Sequence, residues 1–95
     1  MIVKKLLYWL VAGSRGGENR GRMLMLLKDR PMNAKQVADA LGLDYKTVQH
    51  HLDVLKKHAL VDNIGEGYGK AYTLSPEMEA VADELPKIFK TRKRR

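Results

Sequence analysis

The segment 33–55, NAKQVADALGLDYKTVQHHLDVL, carries start and stop signals for two consecutive helices, and it constrains the fold more than any other segment. Asn33 and Gln36 have the spacing of a capping box, so a helix should begin directly after Asn33. Gly42 should end that helix in a left-handed backbone conformation, and Asp44 should cap the next helix. Two capped helices joined by a turn of about three residues predict a helix-turn-helix.

The second of these helices has one apolar stripe, because Val48, Leu52 and Leu55 follow one another at i, i+4 and i+7. With that stripe facing the core, the opposite face is polar, and the first half of such a helix normally enters the major groove of DNA. Gln49 suits adenine, and Lys46 suits guanine or a phosphate. The predicted base-reading residues are Tyr45, Lys46, Thr47, Gln49 and His50.

A β-hairpin should follow this helix. Residues 60–64 and 71–74 read as two short strands, with Tyr72 and Leu74 on one face, and the Gly-rich stretch 65–70 joins them. Because no helix follows the Gly-rich stretch, the anion site of a nucleotide-binding loop is missing. The hairpin therefore predicts a wing beside the helix-turn-helix.

The chain is basic, with 18 Lys and Arg against 11 Asp and Glu and a net charge of +7. A basic domain of this size favours a polyanionic partner, with nucleic acid ahead of an anionic membrane. Arg20 and Arg22 lie in the first turn of a helix predicted for residues 18–29, where cations oppose the helix dipole, so they either contact phosphates or form a solvated pair. The further predicted DNA contacts, on the wing and along the backbone, are Tyr68, Lys70, Arg20, Arg22, Lys35 and Lys57.

Both ends of the chain should form amphipathic helices. The wide apolar face of residues 2–12 can pack on a partner subunit, pack on the last helix, or lie on a membrane surface. A last helix over 75–90 has apolar residues at spacings of 3, 4 and 3, and Pro86 should kink or restart it. The basic end, 91–95, is either a nucleic-acid arm or a solvated tail. The predicted dimer interface consists of Val3, Leu6, Leu7, Leu10, Met78, Val81, Leu85 and Ile88.

We expect no metal, cofactor or catalytic site. The sequence has no Cys, His50 and His51 diverge by about 100° on their helix, and His58 lies two turns beyond His51. His51 should instead be packed at the edge of the core and bonded to the backbone. Ser14 and Ser75 lack a placed base, so the chain should not be an enzyme.

The longest apolar run, residues 6–12, is too short to cross a bilayer. Aromatic residues within it also argue against a signal peptide. The lack of Cys fits a reducing cytoplasm, which is the predicted location.

Five segments together resemble winged helix-turn-helix regulators of the ArsR type. They are RGRMLMLL at 20–27, QVADALGL at 36–43, KTVQHHLDVLKKHALV at 46–61, GKAYTLSPE at 69–77, and GSRGGENR at 13–20. The last of these leads into the first core helix and resembles archaeal members in particular. The resemblance implies a homodimeric repressor that reads an inverted-repeat operator, with the terminal helices forming the dimer interface. Metal sensing of the kind found in many relatives is not expected, because Cys is absent and the last helix has no His.

We therefore predict a mainly α fold with a small β-hairpin (α+β), a winged helix-turn-helix with N- and C-terminal dimerisation helices. The single domain 1–95 is divided into a first helix (1–13), a winged-helix core (18–74), a last helix (75–90) and a tail (91–95). The predicted function is sequence-specific binding of double-stranded DNA by a transcriptional regulator, with no identifiable small-molecule effector. The alternatives are a winged-helix protein-interaction module and a regulator held on a membrane by its first helix.

Overall fold

The computed structural model describes the backbone of residues 2–93 and the side chains of residues 3–67 and 69–90. Within these residues the chain forms six α-helices and three short strands. The helices are α1 (Ile2–Val11), α2 (Gly17–Asp29), α3 (Ala34–Leu41), α4 (Tyr45–Lys57), α5 (Pro76–Ala80) and α6 (Glu84–Lys93). The strands are β1 (Met32–Asn33), β2 (Val61–Ile64) and β3 (Ala71–Leu74), and a 3-10 turn, Gly67–Gly69, lies between β2 and β3.

The helix-turn-helix signals act as predicted. The amide of Gln36 donates to Oδ1 of Asn33 at 2.8 Å, and the amide of Asn33 donates to Oε1 of Gln36 at 2.9 Å, which completes the capping box of α3. Gly42 has φ +68°, a conformation that costs glycine little, and it ends α3. Because both helix ends are specified locally, α3 and α4 begin and end close to the predicted positions.

The sheet has one strand more than the predicted hairpin. The strand β3 lies in the centre and pairs antiparallel with both neighbours, so that Leu74 faces Val61 and Tyr72 faces Met32. The strand β1 has two residues, which is too short for an alternating pattern to reveal it in the sequence. The observed fold is thus a winged helix-turn-helix whose wing is anchored to the segment before α3.

The α1 and C-terminal helices pack on the winged-helix core of their own chain. On α2, a Cβ added at Gly21 would lie 2.7 Å from the ring of Phe89 and 2.9 Å from Val11. This glycine therefore permits a close approach of α1, α2 and α6. In addition, the hydroxyl of Tyr8 donates to the carboxylate of Glu84 at 2.9 Å, which links α1 to α6.

This packing corrects the predicted dimer interface. Five residues of the predicted interface are almost fully buried within their own chain. They are Leu7, Leu10, Met78, Leu85 and Ile88. A side chain without exposed surface cannot contact a second copy, so these five belong to the core, as in the alternative in which the first helix packs on the last. The predicted interface residues that keep part of their surface exposed are Val3, Leu6 and Val81.

The predicted last helix, 75–90, is two helices. Oγ of Ser75 accepts from the amide of Met78 at 3.0 Å and caps α5, which ends at Ala80. The helix α6 begins at Glu84, so Pro86 lies in its first turn, where its missing N–H is not needed. The chain thus breaks before Pro86, because proline suits the start of a helix.

The boundaries at the two ends also differ from prediction. The first helix ends at Val11 and not at residue 13. In the predicted tail, residues 91–93 continue α6, while their side chains and residues 94–95 lie outside the described residues. Among residues 2–93, no helix is both long enough and apolar enough to cross a membrane.

Candidate nucleic-acid interface

The start of α4 is built around Asp44. Its Oδ2 accepts from the amide of Thr47 at 3.0 Å, and its Oδ1 accepts from the Thr47 hydroxyl at 2.6 Å. The Thr47 hydroxyl and amide hold the pKa of the Asp44 carboxyl below its ordinary value. Since the Thr47 hydroxyl donates its one hydrogen within the chain, it has none for a phosphate, while its methyl group can still contact a thymine methyl.

The outer face of α4 carries the predicted base-reading side chains. Tyr45, Lys46 and His50 are exposed, while Gln49 is half-buried. The residues predicted to face inward, which are fully buried, are Val48, Leu52 and Leu55. The helix therefore presents its polar face to solvent along its first two turns.

Gln49 joins α4 to the wing. Its Nε2 donates to Oδ1 of Asp53 at 3.0 Å and to the hydroxyl of Tyr72 at 2.9 Å. Sequence reasoning placed Gln49 on the outer face but missed both partners. The i+4 spacing of Asp53 was visible in the sequence, whereas the approach of Tyr72 depends on how β3 packs against α4.

Tyr72 also contacts a basic side chain of the wing. Nζ of Lys70 lies 5.7 Å from the centre of the Tyr72 ring, within the range of a cation–π contact.

The wing tip turns through Gly65 and Gly67, which have φ +84° and +71°. A cleft of about 390 Å³ lies between α4 and the wing. It is lined by Ala34, Tyr45, Gln49, Gly67, Lys70 and Tyr72. The side chain of Tyr68, a predicted wing contact, lies outside the described residues.

Arg20 lies inside the chain, which corrects its prediction as a phosphate contact. Its side chain is 6 % exposed, and its Nε donates to the carbonyl of Leu10 at 3.0 Å. One Nη donates to the carbonyl of Arg15 at 2.8 Å, and the other lies 3.3 Å from Nδ1 of His51. These contacts occupy the guanidinium between the end of α1 and α4.

His51 is buried beside Arg20, at the edge of the core as predicted, although the partner that the structure gives it is a side chain and not the backbone. Burial, followed by the charges of Arg20 and His50, lowers the pKa of its imidazole. A Cβ added at Gly16, which has φ +80°, would lie 2.8 Å from the His51 ring. His51 is therefore part of the junction between α2 and α4 and is not on the reading face.

The remaining predicted backbone contacts are surface residues. Arg22, Lys35 and Lys57 are exposed, and Nζ of Lys35 lies 3.7 Å from the carboxylate of Asp39. An exposed pair of this kind is weak enough to exchange for a phosphate. Across the described residues, no group of three or more His, Asp or Glu side chains is arranged to hold a metal ion.

The family model of the arsR family of bacterial regulatory proteins matches residues 17–63, the segment from the start of α2 to β2. The chain belongs to the ArsR family. This match confirms the resemblance read from the sequence, and the ArsR-family chain is a winged-helix DNA-binding regulator. The sequence-based prediction that the chain is not an enzyme agrees with this assignment, because regulators of this family act by binding DNA. No curated protein matches the sequence of the chain.

Solved structures of similar fold include HlyU from Vibrio cholerae, with 23% sequence identity, a TM-score of 0.70, and coverage of 94% of this chain and 98% of HlyU. The homodimeric winged helix-turn-helix DNA-binding domain Mb0332 from Mycobacterium bovis has 22% identity, a TM-score of 0.69 and coverage of 96% and 84%. A variant of ZitR from Lactococcus lactis has 18% identity, a TM-score of 0.66 and coverage of 77% and 52%, so this chain spans about half of ZitR. These likenesses confirm the predicted fold.

Proposed function

We propose that this ArsR-family protein is a homodimeric repressor that reads an inverted-repeat operator in double-stranded DNA. The helix α4 enters the major groove, and the wing contacts the DNA backbone or the minor groove. The observation that carries this proposal is the hydrogen bond between Gln49 and Tyr72, because it holds the reading face of α4 and the wing in one fixed arrangement. As a regulator of transcription, the protein would act on the genome in the cytoplasm.

The charges around this face supply affinity without sequence preference. Lys46 on α4, Lys70 at the wing and the exposed Arg22, Lys35 and Lys57 are available to phosphates. Specificity then comes from the side chains that point at base edges, chiefly Lys46, Gln49 and His50.

The dimer is supported by an exposed apolar surface on α1. The side chain of Trp9 is 57 % exposed, and the partly exposed Leu6 lies on the same face one turn earlier. Large aromatic side chains with this much exposure are typical of interface anchors. The similar domain Mb0332 is described as homodimeric. A two-fold dimer would place two copies of α4 in successive major grooves, about 34 Å apart.

Fluorescence anisotropy tests the reading face. The labelled duplex is the region upstream of the protein's own gene, with a random duplex as reference, across a salt series. We expect the native protein to prefer its own region, and the triple variant Lys46→Ala/Gln49→Ala/His50→Ala to keep only weak, salt-sensitive binding. Lys28→Ala, which removes one exposed charge from α2, is the control for net charge and should keep the preference. Equal binding of all duplexes by every protein would contradict the proposal and favour a protein-interaction module.

Measuring the oligomeric state in solution tests the proposed dimer. We expect Trp9→Lys to convert a dimer to a monomer in sedimentation velocity, because it places a charge within the apolar face. Ile64→Lys is a matched control, since Ile64 is 56 % exposed but lies on β2. A native protein that sediments as a monomer at micromolar concentration would exclude this dimer.

A further inference from the structure

The side-chain amide of Gln49 has both of its hydrogens engaged within the protein. Its Nε2 donates one hydrogen to Oδ1 of Asp53 and the other to the hydroxyl of Tyr72. A carboxylate accepts hydrogen bonds and cannot donate them, so the group that faces Asp53 must be the NH2 and not the carbonyl. The partners therefore determine which way the amide is turned, and they leave Oε1 as the group available to DNA.

We propose that Asp53 and Tyr72 are positioning residues that make Gln49 a reader of bases through its acceptor alone. This inference rests on the proposed function, in which α4 enters the major groove. A free glutamine amide reads adenine by accepting from N6 while donating to N7. With both N–H groups used inside the protein, Gln49 accepts from an exocyclic amino group but has no hydrogen for N7, O6 or O4.

A base preference follows from this arrangement. In the major groove, adenine and cytosine present an amino group, whereas guanine and thymine present acceptors. Gln49 should therefore favour adenine or cytosine at the base it contacts and disfavour guanine and thymine. This differs from the preference for adenine alone that the residue type predicts in the sequence.

The arrangement is held by the fold and not by Gln49 itself. The side chain of Tyr72 is 1 % exposed, and its strand β3 is paired on both edges. Lys70 lies over its ring and further restrains it. Asp53 lies one turn after Gln49 on α4, at the i+4 spacing that brings two side chains together. Because both partners are in place before DNA arrives, the ordering of Gln49 is not part of the cost of binding.

Selection from a randomised duplex library tests the base preference. We assign to Gln49 the base-pair position at which the native protein selects particular bases and the Gln49→Ala variant does not. There we expect guanine and thymine to be disfavoured by about fivefold to 100-fold. In the double variant Asp53→Ala/Tyr72→Phe, that penalty should fall below about threefold at this position alone, because a free N–H can donate to O6 or O4. Tyr8→Phe, which removes a hydroxyl from α1, is the control and should leave every position unchanged.

Three outcomes would overturn the inference. In the first, Gln49→Ala changes no position; in the second, the double variant keeps the native preference. In the third, the native protein selects no sequence at all, an outcome that would also remove the proposed function.

Hydrogen exchange in the protein without DNA tests the positioning separately from the proposed function. In NMR spectra, the side-chain NH2 of Gln49 should exchange with water at least about tenfold more slowly than that of Gln36. Gln36 is the internal control, because its Oε1 accepts in the capping box while no hydrogen bond from its NH2 is found among the described residues. The double variant should bring Gln49 to the rate of Gln36. Equal rates for the two residues in the native protein would overturn the inference even if sequence-specific binding is found.

Discussion

Nη1 of Arg20 lies 3.3 Å from Nδ1 of His51, and both side chains are buried. A guanidinium donates and cannot accept, so Nδ1 of His51 is the acceptor and the imidazole is neutral with its hydrogen on Nε2. Because Arg20 also donates to the carbonyls of Leu10 and Arg15, this contact joins the end of α1 and the loop after it to the inner side of α4. The stability of the reading helix is therefore coupled to the N-terminal part of the chain.

The first prediction concerns stability against pH. Burial and the charge of Arg20 lower the pKa of His51 in the folded protein, so the unfolded chain binds more protons below about pH 6.5. The free energy of unfolding should therefore fall as the pH is lowered from about 7.5 to 5.5. His51→Asn keeps an acceptor for Arg20 and should flatten this slope in urea titrations. His50→Asn removes only the smallest cause of the lowered His51 pKa, so it should flatten the slope less than His51→Asn does, and equal slopes for all three proteins would contradict the prediction.

The second prediction concerns Arg20 itself. Arg20→Met removes the guanidinium and leaves the buried carbonyl of Leu10 and the partly buried carbonyl of Arg15 with fewer donors, so we expect the free energy of unfolding to fall by about 2–4 kcal/mol. Arg22→Met, on the exposed side of the same helix, should change it by no more than about 0.5 kcal/mol. Urea denaturation followed by circular dichroism measures both. A similar small effect for the two variants would mean that the Arg20 contacts contribute little.

The third prediction concerns the turn after α4. Ala59 has φ +61°, a left-handed conformation that is strained for a residue with a Cβ. Ala59→Gly relieves this strain and should raise the free energy of unfolding by about 0.5–1 kcal/mol, since the relief exceeds the added entropy of the unfolded chain. Ala40→Gly, at an exposed position within α3, should instead lower it by about 1 kcal/mol. Thermal unfolding distinguishes the two signs, and a loss of stability in Ala59→Gly would refute the assignment of strain.

The fourth prediction concerns the capping box of α3. Asn33→Ala removes the acceptor for the Gln36 amide and should lower the free energy of unfolding by about 1 kcal/mol. Two residues later, Lys35→Ala loses a surface ion pair with Asp39 and should cost less than about 0.5 kcal/mol. If Asn33→Ala were as mild as Lys35→Ala, the cap would have no measurable part in stability.

The fifth prediction concerns the contact between the two ends of the chain. The Tyr8 hydroxyl is the largest cause of the lowered pKa of Glu84, ahead of the charges of Lys4 and Lys87. We therefore expect Tyr8→Phe to raise the pKa of the Glu84 carboxyl towards its ordinary value, measured by NMR titration. Lys4→Met should raise it less, because Nζ of Lys4 lies farther away, at 3.8 Å. The reverse order would show that charge, and not the hydroxyl, sets this pKa.

Much of the interface could be predicted because its signals are local. The caps at Asn33 and Asp44, the stop at Gly42 and the apolar stripe of α4 each involve residues within one or two helical turns of one another. Such signals act in the same way wherever the helix lies in the molecule. The winged helix-turn-helix and the outward direction of Lys46 and His50 could therefore be predicted from the order of the residues.

The sequence by itself thus determined the helix-turn-helix, the wing and the polar face of α4, because short-range steric and hydrogen-bonding rules decide them. Tertiary structure decided which apolar faces are already covered, since Leu7 and Ile88 are apolar in the sequence whether a partner chain or their own chain buries them. It also turned Arg20 inward and placed Tyr72 against Gln49. These contacts join residues far apart in sequence, so they exist only once the whole chain has packed.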